Sequence, residues 1–161
     1  MKTNNEKFNF LKIFIIEDST ILLEALKIRI EVFVLEQGCP PEEETDDYDF
    51  QPWSSNKAVH FIAKLKDKYI GTARIIFPFD KKYSNSPLIQ RVAILKEFRG
   101  KNYGNYIMQT LHNFLIEKEF KTAKLSAQLY AIGFYEKLGY KAFGEIYLDA
   151  GIKHKAMKIK F

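Results

Sequence analysis

A mixed α/β (α+β) fold, one sheet flanked by helices, is predicted by three observations. Short apolar runs with period-two alternation recur along the chain, two longer stretches carry apolar residues at helical spacing, and turn residues separate them. Phe10–Ile16 reads as a first strand. Ser19 is the expected N-cap of a helix from about Thr20 to Glu36, with Leu22, Leu26, Ile30 and Phe33 on one face. Gly38, Pro40 and Pro41 end it, and an acidic segment to Trp53 follows as a long loop. Ala58–Lys66 and Tyr69–Phe77 alternate as two strands around Asp67–Lys68. After a loop over Pro78–Pro87 comes the strand Leu88–Ile94. A helix over Asn102–Lys118 aligns Tyr103, Ile107, Leu111 and Leu115 on one side. Lys124–Gln128 is a strand, and a brief helix through Phe134 and Tyr135 ends at Leu138, with Gly139 as its left-handed cap. Tyr140–Tyr147 and Ile152–Phe161 close the chain as two strands. The expected core includes Ile15, Leu22, Leu26, Ile62, Ile75, Val92, Ile107, Leu111, Leu125 and Phe134.

At 161 residues the chain is expected to form one domain, residues 1–161, because single domains run to about 100–200 residues. Aromatic residues make up 15% of it, which excludes a disordered body. A single cysteine, Cys39, permits no internal disulfide and fits a reducing compartment. The apolar segment Phe8–Ile16 is broken by Asn9 and Lys12 and lacks a small-residue cleavage site, so it is not read as a signal peptide. No stretch reaches the roughly 20 apolar residues of a membrane span, and a soluble, cytoplasmic protein is expected. The oligomeric state stays open, because solvent-facing and core aromatics look alike in a sequence.

The net charge is +5 although Glu42, Glu43, Glu44, Asp46, Asp47 and Asp49 cluster together. The remainder is therefore strongly basic, but its lysines are scattered. Nucleic-acid binding requires a basic patch or stripe with a reading motif, and neither is found, so no nucleic-acid partner is expected. A polyanionic small ligand suits the same charge. The acidic segment reads two ways, as a field that attracts a cationic amine or as a solvated loop. His60, His112 and His154 show no metal-ligand spacing, so no metal is expected.

The stretch from Arg91 to Asn105 carries the most chemistry. It is a strand, then a basic turn with Arg99, Gly100 and Lys101, then an amphipathic helix. Amides at a helix start, with the positive end of the helix dipole, form an anion site. Gly100 and Gly104 let a phosphate approach the backbone. The glycine spacing fits neither the dinucleotide fingerprint nor the Walker A loop.

This stretch resembles motif A of the GNAT acetyltransferases, Gln/Arg-x-x-Gly-x-Gly/Ala. Arg99 fits the first position and Gly104 the last, while Asn102 stands where glycine is usual. Asparagine is the non-glycine residue best suited to a left-handed backbone. Phe134-Tyr135-Glu-Lys-Leu-Gly139-Tyr140 resembles motif B, Phe-Tyr-x-x-x-Gly-Phe/Tyr. Arg29-x-x-Val-Phe-Val-x-Glu36-Gln37-x-Cys39-Pro40, Asp46–Asp47, His60, Arg74, Arg91-Val92, Ala127-Gln128 and Gly151-x-x-His154-x-x-Met157 are similar to the ElaA-like subfamily over nearly the whole chain.

The resemblance implies a mostly antiparallel sheet splayed between Leu88–Ile94 and Lys124–Gln128, with acetyl-coenzyme A in the cleft. It implies an N-acetyltransferase moving an acetyl group to a small-molecule or peptide amine by direct attack. Val92 and Ile94 would offer backbone amides to the thioester and pantetheine, and Arg99, Gly100, Lys101, Asn102, Gly104 and Asn105 would hold the pyrophosphate. Tyr135 sits where the superfamily places its general acid; packing against the cofactor is the other reading. Glu36 and His60 are the available bases, since Leu88–Ile94 contains no carboxylate. Glu36 could instead hold a salt bridge to Arg74 or Arg91, and His60 could be a half-buried strand residue. Cys39 has no histidine in a partner motif and is not read as a nucleophile. Asn102 and the missing strand carboxylate keep a second reading open, an acyl-coenzyme A-binding sensor or docking module without turnover.

Overall fold

The computed structural model describes residues 10–51, 53–78 and 85–161. The middle of the loop expected over Pro78–Pro87 lies outside them. The strands are β1 (Leu11–Ile15), β2 (Ala58–Leu65), β3 (Lys68–Ile76), β4 (Leu88–Ile94), β5 (Thr122–Gln128), β6 (Lys141–Asp149) and β7 (Ile152–Lys160). They form one sheet in the order β1-β2-β3-β4-β5-β7-β6. Among the described strands only β4 and β5 run parallel; every other neighbouring pair is antiparallel. The helices are α1 (Ser19–Arg29), α2 (Tyr103–Glu117) and α3 (Ile132–Lys137). The element order is the one expected from hydrophobic periodicity.

Ser19, the expected N-cap, is instead the first residue of α1. The carboxylate of Asp18 accepts the backbone N–H of Thr20 at 2.8 Å and of Ile21 at 3.1 Å, and its charge suits the positive end of the helix. Nor does the α-helix run on to Glu36. Residues Ile30–Glu36 wind as a π-helix, a rare form whose hydrogen bonds reach back five residues and which is frequent at functional sites. The buried stripe passes from Leu22, Ala25 and Arg29 to Val32, leaving Ile30 exposed.

Alternation along β2 divides the core between the two faces of the sheet, since successive side chains point to opposite sides. Phe61 and Ala63 pack under α2, whose Ile107, Met108, Leu111 and Leu115 are fully buried. Ile62 packs with Ile16, Leu22 and Ala25 beneath α1. Most of the expected core is found there, with one correction. Ile15 is 38% exposed and Ile16 is 1% exposed, because a shift of one residue in a strand exchanges the two faces. Leu26, Val92 and Phe134 are half-buried.

The sheet parts in its middle. β4 and β5 pair at two positions only, Leu88 with Lys124 and Ile89 with Leu125. Just beyond, the β3–β4 register shifts between Thr72 and Arg74, and Arg91 takes a left-handed φ of 54°. Such a conformation costs a non-glycine residue about 1–2 kcal/mol, and bulges of this kind bend the strand that carries them. At the far edge, β6 is exposed along its whole length, including Phe143, Ile146, Tyr147 and Leu148. Among the described residues no helix is long and apolar enough to cross a membrane.

The burial of Ile16 gives a first expected outcome. Ile16→Ala should lower unfolding free energy by about 2–5 kcal/mol, whereas Ile15→Ala should cost under about 1 kcal/mol. Urea titration of both variants checks the register, and equal losses would contradict it.

Candidate active site

The parting of β4 from β5 leaves a cleft of about 190 Å³. Val92 and Ile94 of β4 line one wall, Leu125 and Ser126 of β5 the other, and Tyr135 of α3 closes it. Beyond Ile89 the backbone of β4 has no β5 partner, so peptide groups of that edge are left for a ligand to pair with. Helix α1 and its π-helical extension bring Val32, Phe33 and Gln37 to the rim, and the β6–β7 hairpin brings Asp149 and His154.

Beyond Ile94 lies the basic turn. Gly100 has φ +72° and Asn102 φ 69°, so both occupy the left-handed region. Asn102 is the N-cap of α2 but caps none of the backbone amides of its first turn; its Oδ1 instead accepts from the side chain of Asn105, Nδ2. The opening amides of a helix have no acceptor within it, and the dipole makes that end attractive to an anion. Gly104 serves packing: a Cβ there would lie 3.2 Å from the ring of Phe134. Lys101 Nζ donates to the carbonyl of Glu97 at 2.8 Å.

Arg99 lines the cleft and is already engaged. Its Nε donates to the carbonyl of Ile94 at 2.8 Å, and its two terminal nitrogens grip the carboxylate of Glu36, one at 2.8 Å. The partner of Glu36 is thus Arg99, rather than the Arg74 or Arg91 considered from the sequence. The hydrogen bond from Arg99 holds the Glu36 carboxyl below its ordinary pKa, which makes it a weak base.

His60 is not among the residues that line the cleft. It is buried in β2 opposite Arg74, and its Nε2 lies 3.0 Å from the carbonyl of Tyr48. Since a carbonyl only accepts, that nitrogen carries the proton. Burial lowers the pKa of the ring.

Half of the acidic cluster is solvated, with Glu42, Glu43 and Asp47 exposed. The other half, Glu44, Asp46 and Asp49, is drawn onto three arginines. Arg29 and Arg74 are each 1% exposed. Arg29 binds Asp49 at 2.6 Å and Glu44 at 2.5 Å. Arg74 binds Asp46 at 2.7 Å, Asp49 at 3.0 Å and Gln90 Oε1 at 2.8 Å. Arg91, at the bulge, lies 3.5 Å from Glu44 and 3.7 Å from Asp46. Burial pushes the Asp49 carboxyl up. Hydrogen bonding and charge from Arg29, the Asp46 amide and the charge of Arg74 outweigh it, and its pKa falls below the usual value.

Within the cleft, burial raises the pKa of the Tyr135 hydroxyl, with Tyr130 adding to the effect, so it stays protonated. Burial, with Glu44 and Asp149 behind it, likewise raises the Cys39 thiol, an unfavourable setting for a nucleophile. Two contributors were not read as site residues from the sequence. Gln128 Nε2 donates to Gln37 Oε1 at 2.7 Å across the rim. His154 lies opposite Gln128 in the β5–β7 register; its late Gly-x-x-His pattern was noticed, but only strand pairing brings it to the cleft. Among the described residues no group of three His, Cys, Asp or Glu side chains is placed to hold a metal ion.

Comparison with known proteins agrees with this geometry. Residues 41–161 match the family model described as "Acetyltransferase (GNAT) domain". The chain is 32% identical over 148 residues to the uncharacterized N-acetyltransferase YjcF of Bacillus subtilis, spanning 91% of this chain and 98% of that one. It is 30% identical over 137 residues to protein ElaA of Escherichia coli, spanning 84% and 85%. Its fold superimposes with a TM-score of 0.79 on an acyl-CoA N-acyltransferase from Pseudomonas aeruginosa, at 25% identity and over 92% and 99% of the two chains.

The buried network predicts both a mutant and a pH response. Asp49→Asn leaves two buried arginines short of charge and should cost about 3–5 kcal/mol in unfolding free energy. Because the folded pKa of Asp49 is depressed, its contribution is present above the unfolded carboxylate value of about 3.9 and is lost as pH falls through the lower folded value. Urea midpoints measured from pH 7 down to pH 3 should hold steady and then drop in the wild type. The variant should start lower and show a smaller acid loss.

Proposed function

Because the chain belongs to the GNAT acetyltransferase family, we propose that it is an acetyl-coenzyme A-dependent N-acetyltransferase whose amine acceptor attacks the thioester directly. The observation that carries this reading is the cleft between β4 and β5, unpaired along one backbone edge and ending at a basic turn and a helix N-terminus. That shape suits a ligand with an amide-bearing arm and a polyanionic end. The amides of Val92 and Ile94 pair with the arm and polarise the thioester carbonyl, acting where charge develops during attack. The turn at Arg99, Gly100, Lys101 and Asn102, with Gly104 and Asn105 in the first turn of α2, receives the pyrophosphate.

Tyr135 returns a proton to the departing thiolate. Its raised pKa keeps that proton in place until a thiolate forms in the same poorly solvated cleft, where the anion is also disfavoured. Glu36 fixes Arg99 at the mouth. The base reading of Glu36 and His60 gains no support from their surroundings, since one is held by a guanidinium and the other is bonded to a backbone carbonyl. The engagement of Arg99 with Glu36 and Ile94 favours a second reading, acyl-coenzyme A binding without turnover.

Calorimetric titration with acetyl-coenzyme A and free coenzyme A, beside thiol release over a panel of amines, separates the two. Binding with amine-dependent release supports the transferase, binding without release supports the sensor, and no binding rejects both. Tyr135→Phe should lower kcat by roughly 10²-fold or more while leaving acetyl-coenzyme A affinity unchanged. Asn102→Ala should lose about 1–2 kcal/mol of stability for the left-handed backbone and weaken ligand binding in calorimetry. Asn102→Gly should do neither.

A further inference from the structure

We propose that His154 is the general base, and that Nε2 of its ring takes the proton from an alkylammonium acceptor. This rests on the acetyltransferase reading above and names a group that the sequence did not.

The proton inventory of the three histidines leads to it. His60 Nε2 is held by the carbonyl of Tyr48, and His112 Nε2 by the hydroxyl of Tyr140 at 2.7 Å. His154 is arranged the other way round. Its Nδ1 lies 2.7 Å from the carbonyl of Ile152. A carbonyl only accepts, so Nδ1 carries the hydrogen and, in the neutral ring, Nε2 carries the open lone pair. Among the described residues that lone pair has no partner, on a ring that lines the cleft with Tyr135.

The ring is also well fixed. It stacks on Tyr147, with centroids 6.1 Å apart and planes 24° from parallel, and the hydroxyl of Tyr147 is tied to Ser126 Oγ on β5. One nitrogen anchored to a backbone carbonyl and one left open is how a histidine base is held in its working tautomer. Asp149 lines the same cleft, and its negative charge favours a cationic acceptor at that rim.

The step balances. The N–H bond of the ammonium breaks and its proton moves to Nε2. The freed nitrogen lone pair forms the C–N bond at the thioester carbonyl carbon. The C–S bond breaks, and the sulfur keeps the electron pair and takes a proton from Tyr135. The second proton lost by the nitrogen returns to Tyr135 through water, and the imidazolium gives its proton to solvent.

Two measurements test it. Diethyl pyrocarbonate acylates imidazole nitrogens that have an open lone pair. All three rings are buried, so the engaged Nε2 of His60 and His112 is what sets them apart. Peptide mapping should find His154 labelled ahead of both, more slowly with acetyl-coenzyme A present. His154→Asn keeps a donor for the Ile152 carbonyl but has no basic nitrogen; His154→Ala lacks both. The asparagine variant should fold and bind acetyl-coenzyme A as the wild type does, yet lose roughly 10²-fold or more in thiol release with alkylamines. With hydrazine, which is much less protonated at the assay pH, the loss should be small.

Labelling of His60 or His112 first would overturn the proposal. So would wild-type turnover by His154→Asn, or equal losses with alkylamines and hydrazine, which would mark a structural role. An inactive wild type that still binds acetyl-coenzyme A would remove the acetyltransferase reading itself, and the base with it. An active wild type with an unimpaired variant removes only the base.

Discussion

Two arginines with almost no exposure, Arg29 and Arg74, share the carboxylate of Asp49, and the placement of the cleft walls depends on that sharing. Taking a guanidinium out of water is costly unless a carboxylate and further hydrogen bonds meet it. Here the last residue of α1, a residue near the end of β3 and a segment with no regular strand are forced together by that requirement. Glu44 and Asp46 extend the network to Arg91, the bulge residue at which β4 leaves β5. The charges thus surround the point where the sheet opens. Substituting one member leaves its partners buried and unmatched, so the segment is held to the sheet by the cost of release as much as by attraction.

From this anchor, position passes on through short polar links. The end of α1, fixed by Arg29, continues into the π-helical turns that carry Glu36 and are capped by Gln37. Glu36 reaches Arg99, which bonds back to the carbonyl of Ile94. Gln37 reaches Gln128 at the end of β5. The π-helical turns therefore touch both lips of the cleft, one through an ion pair and one through an amide pair.

Hydrophobic periodicity carried the element order, because alternation and helical spacing are local properties. The left-handed turn was legible as well: Asn102 is a residue type that tolerates φ 69°, and the chain places it where the helix begins. What could not be read were pairings between distant positions. Glu36 and Arg99 are 63 residues apart, and nothing local in either distinguishes that partner from Arg74 or Arg91. The acidic run read equally as a solvated loop or as a field for a cationic amine, because composition records charge, not the arginines that meet Glu44, Asp46 and Asp49. Arg91 gave no sign of its positive φ, since a bulge is set by the register of neighbouring strands rather than by residue type. His154 became a cleft residue only through the pairing of β7 with β5 and β6.

The two-rung junction of β4 with β5 has a consequence for cohesion. Four strands lie on one side of it and three on the other, so the sheet is nearly two leaves sewn by a short seam. A molecule that pairs with the freed edge acts as a missing strand and stitches the leaves together. By mass action, each tenfold rise in such a ligand above its dissociation constant adds about 1.4 kcal/mol to the folded state. Resistance to unfolding would then follow the supply of whatever molecule fills that edge.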